Sequence, residues 1–325
     1  MALRLHIGTH KTGTTLLQRF AHQNRARLRA GGLEYPDWKE WLGIRGHYAH
    51  HDLAHAIGEN SKRVGPKELD RFWGIMREYA RDHDVLVSAE PFYRYLIAGE
   101  SGPKKAHATY VQRLGHWARD VEVEVVLVLR KPDDFAVSMY GEHVLQTRFG
   151  GALDRFIREK GHLFDYAWQI GLFEKNVGPV RHLCYEGLCE QDLVNAFFAE
   201  LGLDVSGWDR PSLANTSKDP ALVELKRRAN SAPGGVGDNR AYLRKLARTS
   251  VEDVLSNEQG TRPRTLWQTQ DEERAFLHGA LEKFSESQYW DEAKYGRWRA
   301  EPAQKTYMAQ WLADMKDLQA LGEGA

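Results

Sequence analysis

Leu3-Arg4-Leu5-His6-Ile7-Gly8-Thr9-His10-Lys11-Thr12-Gly13-Thr14-Thr15-Leu16-Leu17-Gln18 is the stretch whose reading decides the fold. Leu3, Leu5 and Ile7 alternate with polar residues, which predicts a short strand. Leu16, Leu17 and Phe20 set against Gln18, Arg19, Gln23, Asn24 and Arg25 predict a helix. A strand that passes through a tight glycine turn into a helix N-terminus is a geometry that binds phosphate. The glycines let the backbone curl so that N–H groups point inward, and the first helical turn adds free donors and the positive end of the dipole. Lys11 brings a full charge, and Thr14 and Thr15 bring hydroxyls.

The spacing narrows the ligand. A triphosphate loop is written G-x-x-x-x-G-K-[ST]. Gly8 and Gly13 stand at that separation and Thr15 occupies the hydroxyl position, but Thr14 follows Gly13 and the lysine has moved back to Lys11. A lysine inside the loop sits near the first phosphate group and whatever is bonded to it. That argues for a ligand with one 5′ phosphate group and against ATP. A βα turn that happens to be rich in small residues is the other reading of these residues alone.

A second block has the same form. Val121 to Leu129 is the strongest strand signal in the chain, and Arg130-Lys131-Pro132 ends it. Asp133 and Asp134 then open a helix that carries Ser138 and Tyr140. Arg130 offers a forked, permanently charged donor and Ser138 a hydroxyl, and the two can converge on one anion.

His10-Lys11-Thr12-Gly13-Thr14-Thr15 resembles the 5′-phosphosulfate loop, P-K-S-G-T-T, of sulfotransferases that use 3′-phosphoadenosine 5′-phosphosulfate (PAPS). His10 replaces the proline, and Thr12 replaces the serine while keeping its hydroxyl. Arg130 to Tyr140 resembles the 3′-phosphate motif of the same family, R-x-P-x-D-x-x-x-S-x-Y. Tyr185-Glu186-Gly187-Leu188 is similar to its Y-E-D-L segment, with Gly187 in place of Asp. The resemblance covers roughly residues 3–202. It implies that His10, Lys11, Thr12, Gly13, Thr14 and Thr15 bind the phosphosulfate, that Arg130 and Ser138 hold the 3′-phosphate, and that Tyr185 contacts adenine. It implies in-line transfer of a sulfuryl group to a hydroxyl or amine, with PAPS as co-substrate and no metal. Lys11 would stabilise the leaving group. The competing classes are a P-loop small-molecule or nucleotide kinase, which calls for Mg²⁺ and a lysine after Gly13, and a nucleotide-binding module without chemistry.

A general base is sought at the strand ends, because ligands of open α/β sheets bind at the carboxyl ends of the strands. Asp84 to Pro91 reads as a buried parallel strand that delivers Ser88 and Glu90 to that edge. Glu90 is the candidate base, and Pro91 is expected to hold it extended; a solvated strand-end carboxylate is the plain alternative. His47, His50, His51 and His55 form a histidine-rich stretch. His47, His51 and His55 would share one helical face, which reads as a polar helix face or, less in keeping with the missing Cys and carboxylate pattern, as metal ligands, and one of the four histidines is the runner-up base.

Composition bounds the rest. The 325 residues carry 45 basic and 45 acidic side chains, so no global field attracts nucleic acid. The two cysteines, Cys184 and Cys189, make no disulfide framework and no metal quartet. No apolar run approaches the roughly 18 residues that span a bilayer, and the first strand leaves no room for a cleaved leader. A cytoplasmic protein without a membrane anchor is expected. Residues 66–82, 104–119, 162–176, 190–201, 219–230, 240–249, 271–284 and 303–320 read as helices. The expected architecture is a three-layer α/β P-loop-type fold with a mostly parallel sheet and helices on both faces. Residues 1–205 would form the core and 206–325 a helical extension packed on the same domain. Gly234 to Arg240 or Arg262-Pro263-Arg264 could supply a nucleotide-closing loop. The aromatic segments Tyr35 to Trp41 and Phe92 to Tyr95 could line a small-molecule or carbohydrate, lipid or phenolic acceptor site.

Overall fold

The computed structural model of the chain describes residues 2–130, 132–212 and 220–231, with residues 235, 237, 239, 241 and 242. The order begins β1 (Leu3–His6), α1 (Thr14–Gln23), α2 (Arg25–Ala30), β2 (Leu33–Glu34), α3 (Trp38–Leu42), α4 (His51–Ile57), α5 (Pro66–Asp82) and β3 (Asp84–Ser88). It continues with α6 (Pro91–Arg94), α7 (Pro103–Ala118), β4 (Val123–Leu129), α8 (Pro132–Gln146) and α9 (Leu153–Lys160). After a 3₁₀ turn at Gly161–Leu163 come α10 (Tyr166–Asn176), β5 (Val180–Cys184), α11 (Tyr185–Glu190), α12 (Leu193–Glu200) and α13 (Pro220–Ser231). The expected helices 240–249, 271–284 and 303–320 lie outside the described residues, apart from residues 241 and 242, as do Gly234, Arg240 and Arg262 to Arg264.

Five strands form one sheet in the order β2-β3-β1-β4-β5. Every pairing is parallel. The α/β P-loop-type architecture is therefore present, with β1 in the centre. The register sets Leu3 between Val85 and Val123, and His6 between Ser88 and Val126. The chain leaves β1 for the β3 side and later returns on the β4 side, so the carboxyl end of β1 is the switch point where such sheets form a crevice. Residues Val125 to Leu129 are all fully buried, which requires cover on both faces of the sheet.

One core layer is built by Leu17, Phe20 and Leu28 from the first two helices and Phe197 and Phe198 from α12, packed with Leu86, Val126 and Val128. Phe20 and Phe198 meet tilted at 5.1 Å. Burial of such rings supplies roughly 2–3 kcal/mol each. α5 packs on β3 and buries Leu69, Phe72, Trp73 and Met76, the spacing of an apolar stripe. Its start is set by Pro66 and by Glu68, whose carboxylate accepts from the Gly65 N–H at 2.9 Å.

The chain divides into two compact units. The sheet and its helices, up to Arg130 and again from His162, make the first. Pro132 to Gly161 and the described residues from Pro220 onward belong to the second. In the second, α13 packs on α8 and closes its C-terminal end. The Lys226 ammonium donates to the carbonyl of Thr147 at 3.1 Å, and Asn230 Nδ2 donates to the carbonyls of Val144, Thr147 and Phe149. These bonds satisfy carbonyls that a helix end leaves open.

Tyr185 to Leu188 is the first part of a helix, α11. One expectation changes. Tyr35, Trp38, Trp41, Phe92 and Tyr93 are each 4% exposed or less, so these rings pack the core rather than line an acceptor site. The Tyr35 hydroxyl donates to the Tyr48 carbonyl at 2.7 Å and Trp38 Nε1 donates to the Ala49 carbonyl at 3.2 Å, which settles their polar atoms.

Candidate active site

The glycine turn sits at the carboxyl end of β1. Gly8, Lys11 and Gly13 take positive φ, at 42°, 66° and 69°. A lysine there is uncommon and marks a backbone held by its surroundings. The holding bonds are visible. Thr9 Oγ1 donates to the Val128 carbonyl at 2.8 Å, which ties the turn to β4. Thr12 Oγ1 donates to the Thr9 carbonyl at 2.7 Å and lies 3.3 Å from Thr14 Oγ1. Thr12 thus spends its proton as a strut within the loop. Gly13 caps α1 in the left-handed conformation, with no side-chain cap and no acidic residue in the first turn. The helix end is left electropositive. Thr14 and Thr15 are its first two residues.

Arg130 follows β4. Its Nη1 donates to the Lys11 carbonyl at 3.1 Å, and its guanidinium lies 5.5 Å from the centre of the Tyr185 ring. The Tyr166 hydroxyl donates to the Arg130 carbonyl at 2.9 Å and fixes the strand exit. Tyr185 also borders the loop, 3.7 Å from where a Cβ on Gly13 would stand. Lys11, Gly13, Arg130 and Tyr185 are therefore neighbours. Ser138 lies half-buried on α8, in the second unit.

Glu90 is buried beside the same edge. Its backbone is αR, at φ −64° and ψ −29°, rather than extended. Its carbonyl and that of Ala89 start the turn of α6 by accepting from Tyr93 and Phe92, and this bonding overrides the bias that Pro91 imposes. Glu90 Oε2 accepts from Gln18 Nε2 at 3.2 Å and lies 2.5 Å from His51 Nε2. Burial pushes this carboxyl up, but the His51 hydrogen bond and charge, with help from His10, hold it down at about 2. His51 is the first residue of α4, and its side chain is 35% exposed.

The other histidines part company. His47 precedes α4, so the three-histidine helical face does not form. The His47 ring meets Tyr48 tilted at 3.8 Å and stacks on His51 at 5.7 Å. His55 lies against Tyr95. His50 is a buried strut: its Nδ1 accepts from the Ser88 N–H and its Nε2 faces the Pro36 carbonyl, each at 3.0 Å. Burial lowers it to about 4. Among the described residues no group of three or more His, Cys, Asp or Glu is placed to hold a metal ion. Neither cysteine is activated: burial pushes the Cys184 thiol up to about 12 and raises Cys189 as well.

No family model matches this chain. No curated protein matches it by sequence. A solved structure of a sulfotransferase from Alicyclobacillus acidocaldarius is similar to it, with 16% identity over 71% of this chain and 94% of the other, at a TM-score of 0.39. That likeness is too loose to bear on the site. No helix among the described residues is long and apolar enough to cross a membrane.

Two members of the site escape a reading by sequence. Gln18 looks like a solvent-facing residue of α1 but is buried, with its amide between Ser88 and Glu90. Its spacing from Thr14, one helical turn, is the signal that places it under the loop. His6 is the other, on the face of β1 opposite Leu3 and Leu5.

Proposed function

We propose that the chain is a sulfotransferase that takes its sulfuryl group from PAPS and delivers it to a hydroxyl or amine. The observation that carries the reading is the 3.1 Å bond from Arg130 to the Lys11 carbonyl, which brings the guanidinium from one strand exit onto the backbone of the glycine turn at the other. One nucleotide with phosphate at both ends of its ribose suits such a pair. The donor set fits. Gly8 and Gly13 bring backbone close, the first turn of α1 is uncapped, and Thr14 and Thr15 stand at its mouth. PAPS, when bound, supplies the activated sulfuryl group; the chain supplies position and charge.

Lys11 and the loop would hold the phosphosulfate, with Lys11 neutralising charge on the departing group. Arg130 would grip the ribose phosphate, and Tyr185 would lie by the base. The proton of the acceptor falls to the His51–Glu90 pair. Glu90 is buried behind the more exposed His51 ring, 2.5 Å from its Nε2, so we assign a neutral His51 the role of base and Glu90 that of orienting it and stabilising the charge it gains. A panel of hydroxyl and amine acceptors incubated with sulfur-labelled PAPS tests the reading. Label should move to at least one acceptor as adenosine 3′,5′-bisphosphate appears. Transfer of the γ-phosphate of ATP instead, with none of the sulfur label, would overturn it.

A further inference from the structure

Beneath the loop lies a histidine that the reading above does not use. His6 has no exposed surface, and its ring packs on Phe197 at 4.9 Å. Its Nδ1 is 2.9 Å from Ser88 Oγ. Its Nε2 has no hydrogen-bond partner among the described residues. A buried polar atom left in this way is costly and calls for an explanation.

Two observations say where that nitrogen points and what it carries. A Cβ built on Gly8 would stand 2.9 Å from Thr14 Oγ1 and 3.5 Å from His6 Nε2. The glycine thus leaves a hollow in the loop floor onto which a hydroxyl and an imidazole nitrogen converge. On the far side of the ring, Gln18 Nε2 lies 3.2 Å from both Ser88 Oγ and Glu90 Oε2. The amide N–H donates to the serine oxygen, so the serine proton is free to point at His6 Nδ1. A neutral imidazole that accepts at Nδ1 carries its proton on Nε2. Burial keeps the ring neutral, lowering it to about 4 against the opposing pull of Glu90.

We propose that His6 is an anion-contacting residue of the loop, an Nε2–H donor set under Gly8 that hydrogen-bonds an oxygen of the bound phosphosulfate or a water trapped with it. The chain Ser88–Gln18–Glu90 fixes its tautomer and joins it to His51, so one buried line runs from the floor of the donor pocket to the base. The inference rests on the loop being the donor pocket, but not on sulfuryl chemistry.

The test uses the full chain, adenosine 3′,5′-bisphosphate and inorganic pyrophosphate. His6→Gln places an amide N–H near the position of Nε2, whereas His6→Asn places one near Nδ1. Both ligands should bind His6→Gln within about threefold of the unsubstituted chain and His6→Asn about tenfold more weakly. A histidine that serves only to hold Ser88 predicts the opposite order, and that order overturns the proposal. In the unsubstituted chain labelled with ¹⁵N-histidine, which needs no variant to fold, His6 should show a protonated Nε2 whose resonance moves when either anion is added. A proton on Nδ1, or an unmoved resonance at saturation, also overturns it. Pyrophosphate separates the two claims: if it moves the resonance while no sulfuryl transfer occurs, the inference stands and the sulfotransferase reading falls.

Discussion

Arg130 reaches across from the end of β4 to the carbonyl oxygen of Lys11, 3.1 Å away, at a point where the lysine backbone is left-handed. Two charged residues 119 positions apart in sequence are held by one bond at the crevice of the sheet. The guanidinium keeps further donors for a ligand, because it has five N–H groups and the bond to Lys11 uses Nη1 alone. On the proposed reading, it is the pairing of these two residues, rather than the loop alone, that would select a ribose bisphosphate over a single phosphate.

Arg130→Ala should weaken adenosine 3′,5′-bisphosphate about 10- to 100-fold, the worth of a lost charge-assisted bond of roughly 1.5–3 kcal/mol. Adenosine 5′-phosphosulfate, which lacks the ribose phosphate, should change less than about threefold. Calorimetric titration of both ligands decides it. Equal losses would make Arg130 a strut of the Lys11 turn and nothing more.

His51→Ala and Glu90→Gln should both slow turnover, by about 10²–10³-fold for the first and less for the second, while the bisphosphate still binds within about twofold. The ordering follows from the 2.5 Å contact, in which the buried carboxylate orients the more exposed imidazole. An inactive Glu90→Gln beside an active His51→Ala would give the base role to Glu90.

Gly13→Ala should cost stability chiefly through its backbone, with a smaller cost for displacing a side-chain tip. Its φ of 69° strains any L side chain, about 1–2 kcal/mol, and the new methyl would stand 2.2 Å from Leu193 Cδ2. Urea unfolding should show a loss of at least that size. Adding Leu193→Ala should relieve the collision but not the backbone strain, after allowance for the cost of Leu193→Ala alone. Full stability in Gly13→Ala would mean that the turn is not built as described.

Acid should unfold the chain early. His6 and His50 are both lowered from about 6.5 to about 4 by burial. The unfolded chain therefore takes up protons near pH 6.5 while the folded one does not. Their contribution is fully present above pH 6.5 and is lost as pH falls toward 4, at up to about 1.4 kcal/mol per pH unit for each histidine. Glu90, held at about 2, adds its own loss only below about pH 4.5. Urea midpoints at pH 7.5, 6 and 5 measure the slope. Equal midpoints at pH 7.5 and 5 would count against two buried neutral imidazoles.

The sheet was open to reading because its signals are local. Leu3 to Ile7 alternates apolar with polar residues, Val85 to Val87 and Val123 to Leu129 are largely apolar, all three end at Gly, Ser or Arg, and each became a parallel strand or its exit. The loop was legible for the same reason, since glycine spacing reports backbone conformation directly. What stayed hidden depends on contacts distant in sequence. Gln18 finds Ser88 and Glu90 some 70 positions away, and nothing near Gln18 reports that. The aromatic residues from Tyr35 to Trp41 were ambiguous because rings serve cores and ligand sites alike, and only their burial decides. Glu90 followed its helix-opening bonds rather than its proline neighbour, a case of one local preference outweighing another.

The most direct measurement is a metal-free equilibrium titration of the full chain with adenosine 3′,5′-bisphosphate and, separately, with ADP. The account predicts that the bisphosphate binds at least about tenfold more tightly, with no gain on adding Mg²⁺. Tighter binding of ADP, or a strict need for Mg²⁺, would contradict it.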